Sequence, residues 1–224
     1  KEAGGGQANV IAWMWARTVA SPNPAARGAH VPLMSTYWLS SKKGNEAWLE
    51  PIVDSAAGSW RFAVRTGAPR DRTAVSAGTK RGRGSNFECL ITKSPIPEDH
   101  VRREGQAGRL GVSLTAIIAD AGRGRFYLPA DASHESIAHV DPPVVESGDM
   151  PNNARWFSPP LVGLKSYTSI FTSRQLTAAT TYSTLVSDVR HDVSSDGKSA
   201  GLTADQADSY AIAVATFLAL VLDR

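Results

Sequence analysis

A chain of 224 residues, 42% hydrophobic and 20% charged, can bury a real core as one domain or two small ones, and its composition excludes wholesale disorder. The formal net charge of +3 is mildly basic, which permits a polyanionic partner without requiring one. One cysteine, Cys89, excludes an intrachain disulfide, and no apolar run reaches the length of about 18 residues that marks a membrane span.

In chain order, the opening stretch 1–6 is glycine-rich, lacks an initiator Met and reads as a cut end. Residues 10–19 are aromatic and β-branched, the composition of a buried strand. A Pro/Gly/Ala loop at 21–28 leads to a second strand over 33–40 and a turn at 41–45. Residues 47–53 and 60–65 alternate and predict a hairpin across 54–59. In its second strand Trp60, Phe62 and Val64 face in, while Arg61, Ala63 and Arg65 face out. Between 70 and 85, Arg70, Arg72, Lys80, Arg81 and Arg83 stand among Gly, Ser and Thr, which predicts an exposed, mobile basic loop. Pro95 to Asp99 opens a short helix running through 100–104. Two more strands, 110–119 and 125–128, are joined by 120–124.

Residues 141–160 are Pro-rich and read as a linker to a helical last third. Thr172-Ser173-Arg174-Gln175 and Thr203-Ala204-Asp205-Gln206 each carry the pattern of a capping box. In it the Thr hydroxyl takes a free first-turn amide and the Gln reaches back. Leu176, Thr180, Leu185, Val186 and Val189 give the first helix a partly apolar face; Ala211, Val214, Ala215, Leu218 and Leu222 give the second a stronger one. Asp196-Gly197 is placed in the loop between them. The apolar stretch 211–222 is too short to span and at the wrong end for a signal peptide, so the reading is cytoplasmic, with no membrane partner. The chain closes inside that apolar pattern without a Gly or Pro stop, as a truncated helix would. The fold class is therefore α+β: a β-rich region over 1–140 with the basic loop at 70–85, a linker over 141–160, and a helical pair over 161–224.

No phosphate loop, dinucleotide fingerprint, nucleophile elbow or metalloprotease motif occurs. His134 and His139, with Glu135 and Asp141, match no metal-ligand spacing and read as a polar loop. Cys89 could act as a nucleophile only beside a base, and a buried structural thiol is the simpler reading. The basic residues point to nucleic acid: arginines and lysines between glycines can follow a phosphate backbone. Arg70, Arg72, Lys80, Arg81 and Arg83, with Arg102 and Arg103, are the candidate DNA contacts, and Arg109, Arg123 and Arg125 could gather on the same side. With no Asn or Gln beside the loop to pair with a base edge, such contacts would go to phosphates.

Four stretches together resemble a known family. Residues 10–19 with Ser21-Pro22-Asn23-Pro24-Ala25-Ala26, then 31–44, then Cys89-Leu90-Ile91-Thr92-Lys93-Ser94-Pro95-Ile96-Pro97, then 171–176 with 210–220 are similar, in order, to bacterial adenine-specific DNA methylases that contain a zinc ribbon. The resemblance implies that the N-terminal hairpins form a ribbon whose two knuckles carry Cys-x4-Cys and Cys-x2-Cys zinc ligands. Here those positions hold Ser21, Ala26, Cys89 and Thr92, so the ribbon is degenerate and no metal is expected. The family's S-adenosylmethionine and catalytic motifs do not occur; Asp141-Pro142-Pro143-Val144 has Val in place of the catalytic aromatic. The chain itself is then expected to bind no cofactor, S-adenosylmethionine belonging to the parent enzyme.

The resemblance thus implies a DNA-contacting or target-recognition segment of an adenine DNA methyltransferase in phage defence or restriction–modification. Its partners would be DNA and the catalytic region of the parent chain. The alternative is a structural scaffold insert of the same enzyme that touches no DNA. An independent small enzyme built on Cys89 is the third reading.

Overall fold

The computed structural model describes residues 8–120, 122, 124–151, 153 and 158–223. Arg123, parts of the 120–124 connection and of the Pro-rich stretch, and the opening 1–6 lie outside the described residues. The chain is α+β, with its strands in the N-terminal part and two long helices at the C-terminal end.

It divides into two compact units. The first takes residues 1–138 and 150–165. The second takes 139–149 and 166–224. The Pro-rich stretch is therefore not only a connection, because its second half returns to the first unit. Met150 is buried and donates its amide to Lys165 O (2.7 Å).

In the first unit, β1 (Asn9–Ala20) is the long central strand of an antiparallel sheet. It pairs with β2 (His30–Leu33) on one side and with β8 (Gly111–Asp120) on the other, and β8 pairs with β9 (Arg125–Pro129). The aromatic strand expected to be buried is so only in its second half. Ala16, Thr18 and Val19 are buried, but Val10, Ile11 and Met14 are exposed. A second sheet holds β3 (Trp38–Ser40), β4 (Ala47–Asp54) and β5 (Ser59–Thr66). β4 and β5 form the expected hairpin, with Leu49 opposite Val64 and Val53 opposite Trp60, and with Leu49 and Phe62 buried in the core.

The single strand expected over 33–40 is two short strands in different sheets. What divides them is a tertiary contact. Met34 accepts the amides of Thr79 (2.9 Å) and Lys80 (3.1 Å) and donates its own to the Thr79 hydroxyl (2.9 Å), while Tyr37 N donates to Val75 O (2.7 Å). The same bonds correct the reading of 70–85 as a mobile loop. Asp71 caps a short helix, α1 (Arg72–Ala77), by accepting from Ala74 N (2.9 Å). Val75, Gly78 and Thr79 are buried, while Arg70, Arg72, Arg81 and Arg83 stay exposed and Lys80 is half-buried. β6 (Phe87–Glu88) and β7 (Pro95–Ile96) form a small ladder on either side of the turn at 89–93.

α2 (Glu98–Gln106) buries Val101 and sends His100 Nε2 to donate to Ala20 O (2.8 Å), which ties it to the end of β1. Against its last turn rests the 3-10 turn Pro159–Val162: a Cβ on Gly105 would run into the Val162 carbonyl. α3 (Ala132–Ala138) is a short helix that the polar-loop reading did not foresee.

In the second unit, α4 (Ser173–Ser199) and α5 (Ala204–Leu222) form an antiparallel hairpin. Both begin with the full capping box: Gln175 N and Gln206 N donate to the Thr172 and Thr203 hydroxyls, and both glutamines accept the cap amides in return. Asp196-Gly197 lies inside α4 rather than in the loop. Gly197 faces α5, where an added Cβ would stand 3.1 Å from the Ala207 Cβ, and its bare backbone lets the helices approach. α5 also reaches further back than the stretch 211–222. Over its 19 residues, with a mean hydropathy of 1.3, it is the one helix among the described residues long and apolar enough to cross a membrane, by length and composition alone.

Gly78 ends α1 at φ 56 and ψ −134, a backbone region essentially closed to other residues. A Cβ there would stand 2.6 Å from Met34 O. Gly78→Ala should therefore cost about 2–5 kcal/mol in a denaturant titration. Gly82→Ala, at φ 63 with open space around it, should cost only about 1 kcal/mol. Equal losses at the two positions would show that 78–80 is not docked on Met34.

Candidate functional site

The four positions Ser21, Ala26, Cys89 and Thr92 come from two turns far apart in sequence, and three of them, Ser21, Cys89 and Thr92, meet at the Cys89 sulfur. Cys89 is fully buried, its sulfur accepts from Thr92 N (3.4 Å), and the Ser21 and Thr92 side chains lie beside it. Ala26 is also fully buried and belongs to the same hydrophobic core as Cys89. The Ser21 hydroxyl accepts from Asn23 N (3.3 Å), and the Thr92 hydroxyl pairs with that of Ser94 (2.7 Å).

The two turns have like backbones. Ser21 N donates to Ala29 O (3.0 Å) across the first, and Cys89 N to Ser94 O (2.8 Å) across the second. Each passes through a left-handed non-glycine residue just after its last candidate position, Arg27 (φ 52) and Lys93 (φ 59). Burial pushes the Cys89 thiol up, but the hydrogen bonds from Ser21, Thr92 and the Ile91 backbone outweigh it and hold the thiol below its ordinary value.

A four-coordinate zinc ion needs a donor from each position. A hydroxyl, a methyl, a thiol and a second hydroxyl do not fit it, and among the described residues no cluster of three His, Cys, Asp or Glu could hold a metal. His134 instead sits on α3 beside Asp131 (2.8 Å). The groups on the Cys89 sulfur are hydroxyls and amides, none of them a base, so the arrangement is a structural clasp rather than an activated nucleophile.

The seven candidate DNA contacts fall into two sets. Arg81 grips Glu88 through two bonds (3.0 and 3.1 Å) and donates to the Gly78 and Lys80 carbonyls. Arg102 pairs with Glu98, and Arg72 lies over the Trp38 ring at 5.0 Å and near Glu46 (3.9 Å). These three are engaged within the fold. Arg70, Lys80, Arg83 and Arg103 make no ion pair among the described residues. Of the residues counted beside them, Arg109 is held by Glu104 (2.7 and 2.8 Å).

Glu98 organises the tip of the basic segment. Its carboxylate receives Ser85 N (3.3 Å) and the Arg102 guanidinium, while its own amide donates to Asn86 Oδ1 (3.1 Å). Asn86 Nδ2 in turn donates to Arg83 O (2.8 Å). An amide side chain therefore does stand beside the basic segment, contrary to the reading that none adjoins it, but both its ends are occupied by backbone. Two cations that the charge pattern did not single out, Arg65 and Lys93, stand near Arg70 and Arg81, and no sequence signal marks Lys93.

No protein-family model, curated protein or solved structure matches this chain.

Removing the clasp's acceptor with Cys89→Ala should cost about 1–3 kcal/mol, from lost packing and a stranded Ser21 hydroxyl. The natural chain should hold no tightly bound zinc, and its melting temperature should not respond to a chelator. The triple variant Ser21→Cys, Ala26→Cys, Thr92→Cys should take up about one zinc per chain and melt higher with it. Elemental analysis and thermal melts with and without chelator check both. Zinc in the natural chain, or none in the triple variant, would show that the four positions do not meet as described.

Proposed function

We propose that this chain is a DNA-contacting, target-recognition segment of an S-adenosylmethionine-dependent adenine DNA methyltransferase, serving phage defence or restriction–modification. The observation that carries the reading is the meeting of Ser21, Cys89 and Thr92 around one buried sulfur, with Ala26 buried in the same core. A zinc ribbon of that family would require this convergence of positions, and chain proximity does not impose it. The metal's place is taken by the thiol clasp, which leaves the ribbon's hairpins in position without a ligand.

The DNA contact is assigned to Arg70, Lys80, Arg83 and Arg103, the candidates that carry no internal ion pair. Arg81 and Arg102 shape the surface, because their guanidinium groups hold Glu88 and Glu98. Phosphates are the natural partners of such a set: the neighbouring amide side chain, Asn86, is consumed by backbone bonds. S-adenosylmethionine and the transfer step belong to the parent's catalytic region, whose motifs this chain does not carry.

A specific feature favours the second reading, a scaffold that touches no DNA. α5 exposes Ile212, Phe217, Leu220 and Val221, an apolar face suited to contact with other protein.

A salt titration of duplex binding separates the two. If about three phosphates are neutralised, log affinity should fall against log salt with a slope of roughly −3. Lys80→Ala with Arg83→Ala and Arg103→Ala should flatten it by about two to three and weaken unrelated duplexes alike. A slope unchanged by the triple variant favours the scaffold; loss on one duplex only would mean that these side chains read sequence.

A further inference from the structure

Between the β4–β5 hairpin, α1 and the turn at 89–93 lies a cavity of about 770 Å³, within the range of about 300–1,000 Å³ of small-ligand sites. Its walls include flat and apolar groups, among them Trp48, Pro69 and Leu90. Tyr37 also lines it, with its ring 5.7 Å from that of Phe62 and its hydroxyl close enough to Arg81 and Glu88 to feel both charges. That hydroxyl has no hydrogen-bond partner among the described residues, and burial pushes its pKa up to about 12, so it stays a neutral donor.

The charges around the cavity are unevenly committed. Glu50 is held by Arg65 (2.6 and 2.7 Å), Glu88 by Arg81, and Asp71 by the amide it caps. Arg70 and Lys93 have no such partner. Lys93 is held at φ 59, a conformation that costs a residue with a side chain about 1 kcal/mol or more and that glycine would adopt freely. The walls would take a flat ring, the Tyr37 hydroxyl would donate to a ring or sugar acceptor, and the two uncommitted cations would take an anion. Few common ligands combine all three. A nucleotide does, and aromatic walls bind any base face by stacking.

We propose that this cavity binds a single nucleotide unit, its base against Trp48 and its phosphate held by Arg70 and Lys93. The proposal rests on the nucleic-acid reading of the chain and deepens it. Lys80, Arg83 and Arg103 would follow the backbone, and the cavity would receive one nucleotide unstacked from a strand. A free nucleotide has the same chemistry, so the source must be separated by experiment.

The test uses the full chain and isothermal titration with deoxyadenosine monophosphate, deoxyadenosine, inorganic phosphate, a single-stranded oligonucleotide and a duplex. The monophosphate should bind saturably, at least about tenfold tighter than deoxyadenosine or phosphate alone. Lys93→Gly, which keeps the turn and removes the charge, should weaken it about five- to tenfold without lowering the melting temperature. Arg70→Ala, at an exposed position, is the second variant should the first be unstable. Phosphate competing as well as the nucleotide, or affinity unchanged in both variants, overturns the proposal. Duplex binding that persists while no nucleotide binds overturns the cavity alone and leaves the DNA reading standing. Nucleotide binding without affinity for either strand form leaves the cavity as a free-nucleotide site and overturns the DNA reading.

Discussion

The sulfur of Cys89 holds together a part of the first unit that has little regular structure of its own. From 67 to 97 the chain forms one six-residue helix and two strands of two residues, far too little to fix a path by backbone pairing alone. Its course is set instead by two tertiary ties. The contact of the Cys89 sulfur with the Ser21 side chain sets the turn at 89–93 against the end of β1. The Thr79–Met34 bonds join the end of α1 to the gap between β2 and β3. The thiol sits among buried apolar side chains, where a polar contact is worth more than in water and an unmade one costs more.

Those ties bear directly on electrostatics. A basic segment that was free to move would have to be ordered each time it met a polyanion, at a cost in conformational entropy. Here the ordering is already done by Glu88, Glu98 and Asn86, which hold the backbone and two of the arginines. Only the cations without ion pairs remain to adapt. The acids close to the arginines are thus part of the presentation of positive charge and do not merely cancel it.

What could be read from sequence and what could not divides along the range of the interactions. The two capping boxes are satisfied within four residues of themselves, and both formed as Thr172/Gln175 and Thr203/Gln206 predicted. The β4–β5 hairpin, with its alternation and short turn, was equally legible. The break in the strand at 33–40 was not, because its cause, Thr79, lies some forty residues away. Nor was the order in 70–85, since glycines and cations look the same in a loop whether or not Val75 and Thr79 are buried beneath them. Asp196-Gly197 has the look of a turn, and only the facing Ala207 explains a glycine within a helix. Of the candidate site, the cations were legible from charge, whereas the meeting of Ser21 with Cys89 and Thr92 joins turns nearly seventy residues apart and is tertiary. Which cations were already engaged depended on Glu46, Glu88 and Glu98, whose placement is tertiary.

The return of 150–165 to the first unit sets an order of events during synthesis. α2 leaves the ribosome with the backbone at Gly105 bare, and the turn that packs on it, ending at Val162, emerges only after the chain has passed through the stretch 139–149 that belongs to the second unit. Folding of the first unit as it emerges therefore pauses one step short, with Met150 and Val162 still to be delivered. Genetic exchange meets the same restriction. A single crossover near 140 separates the stretch 150–165 from the helix it rests on, so either unit can pass intact to another protein only if both of its discontinuous segments travel together.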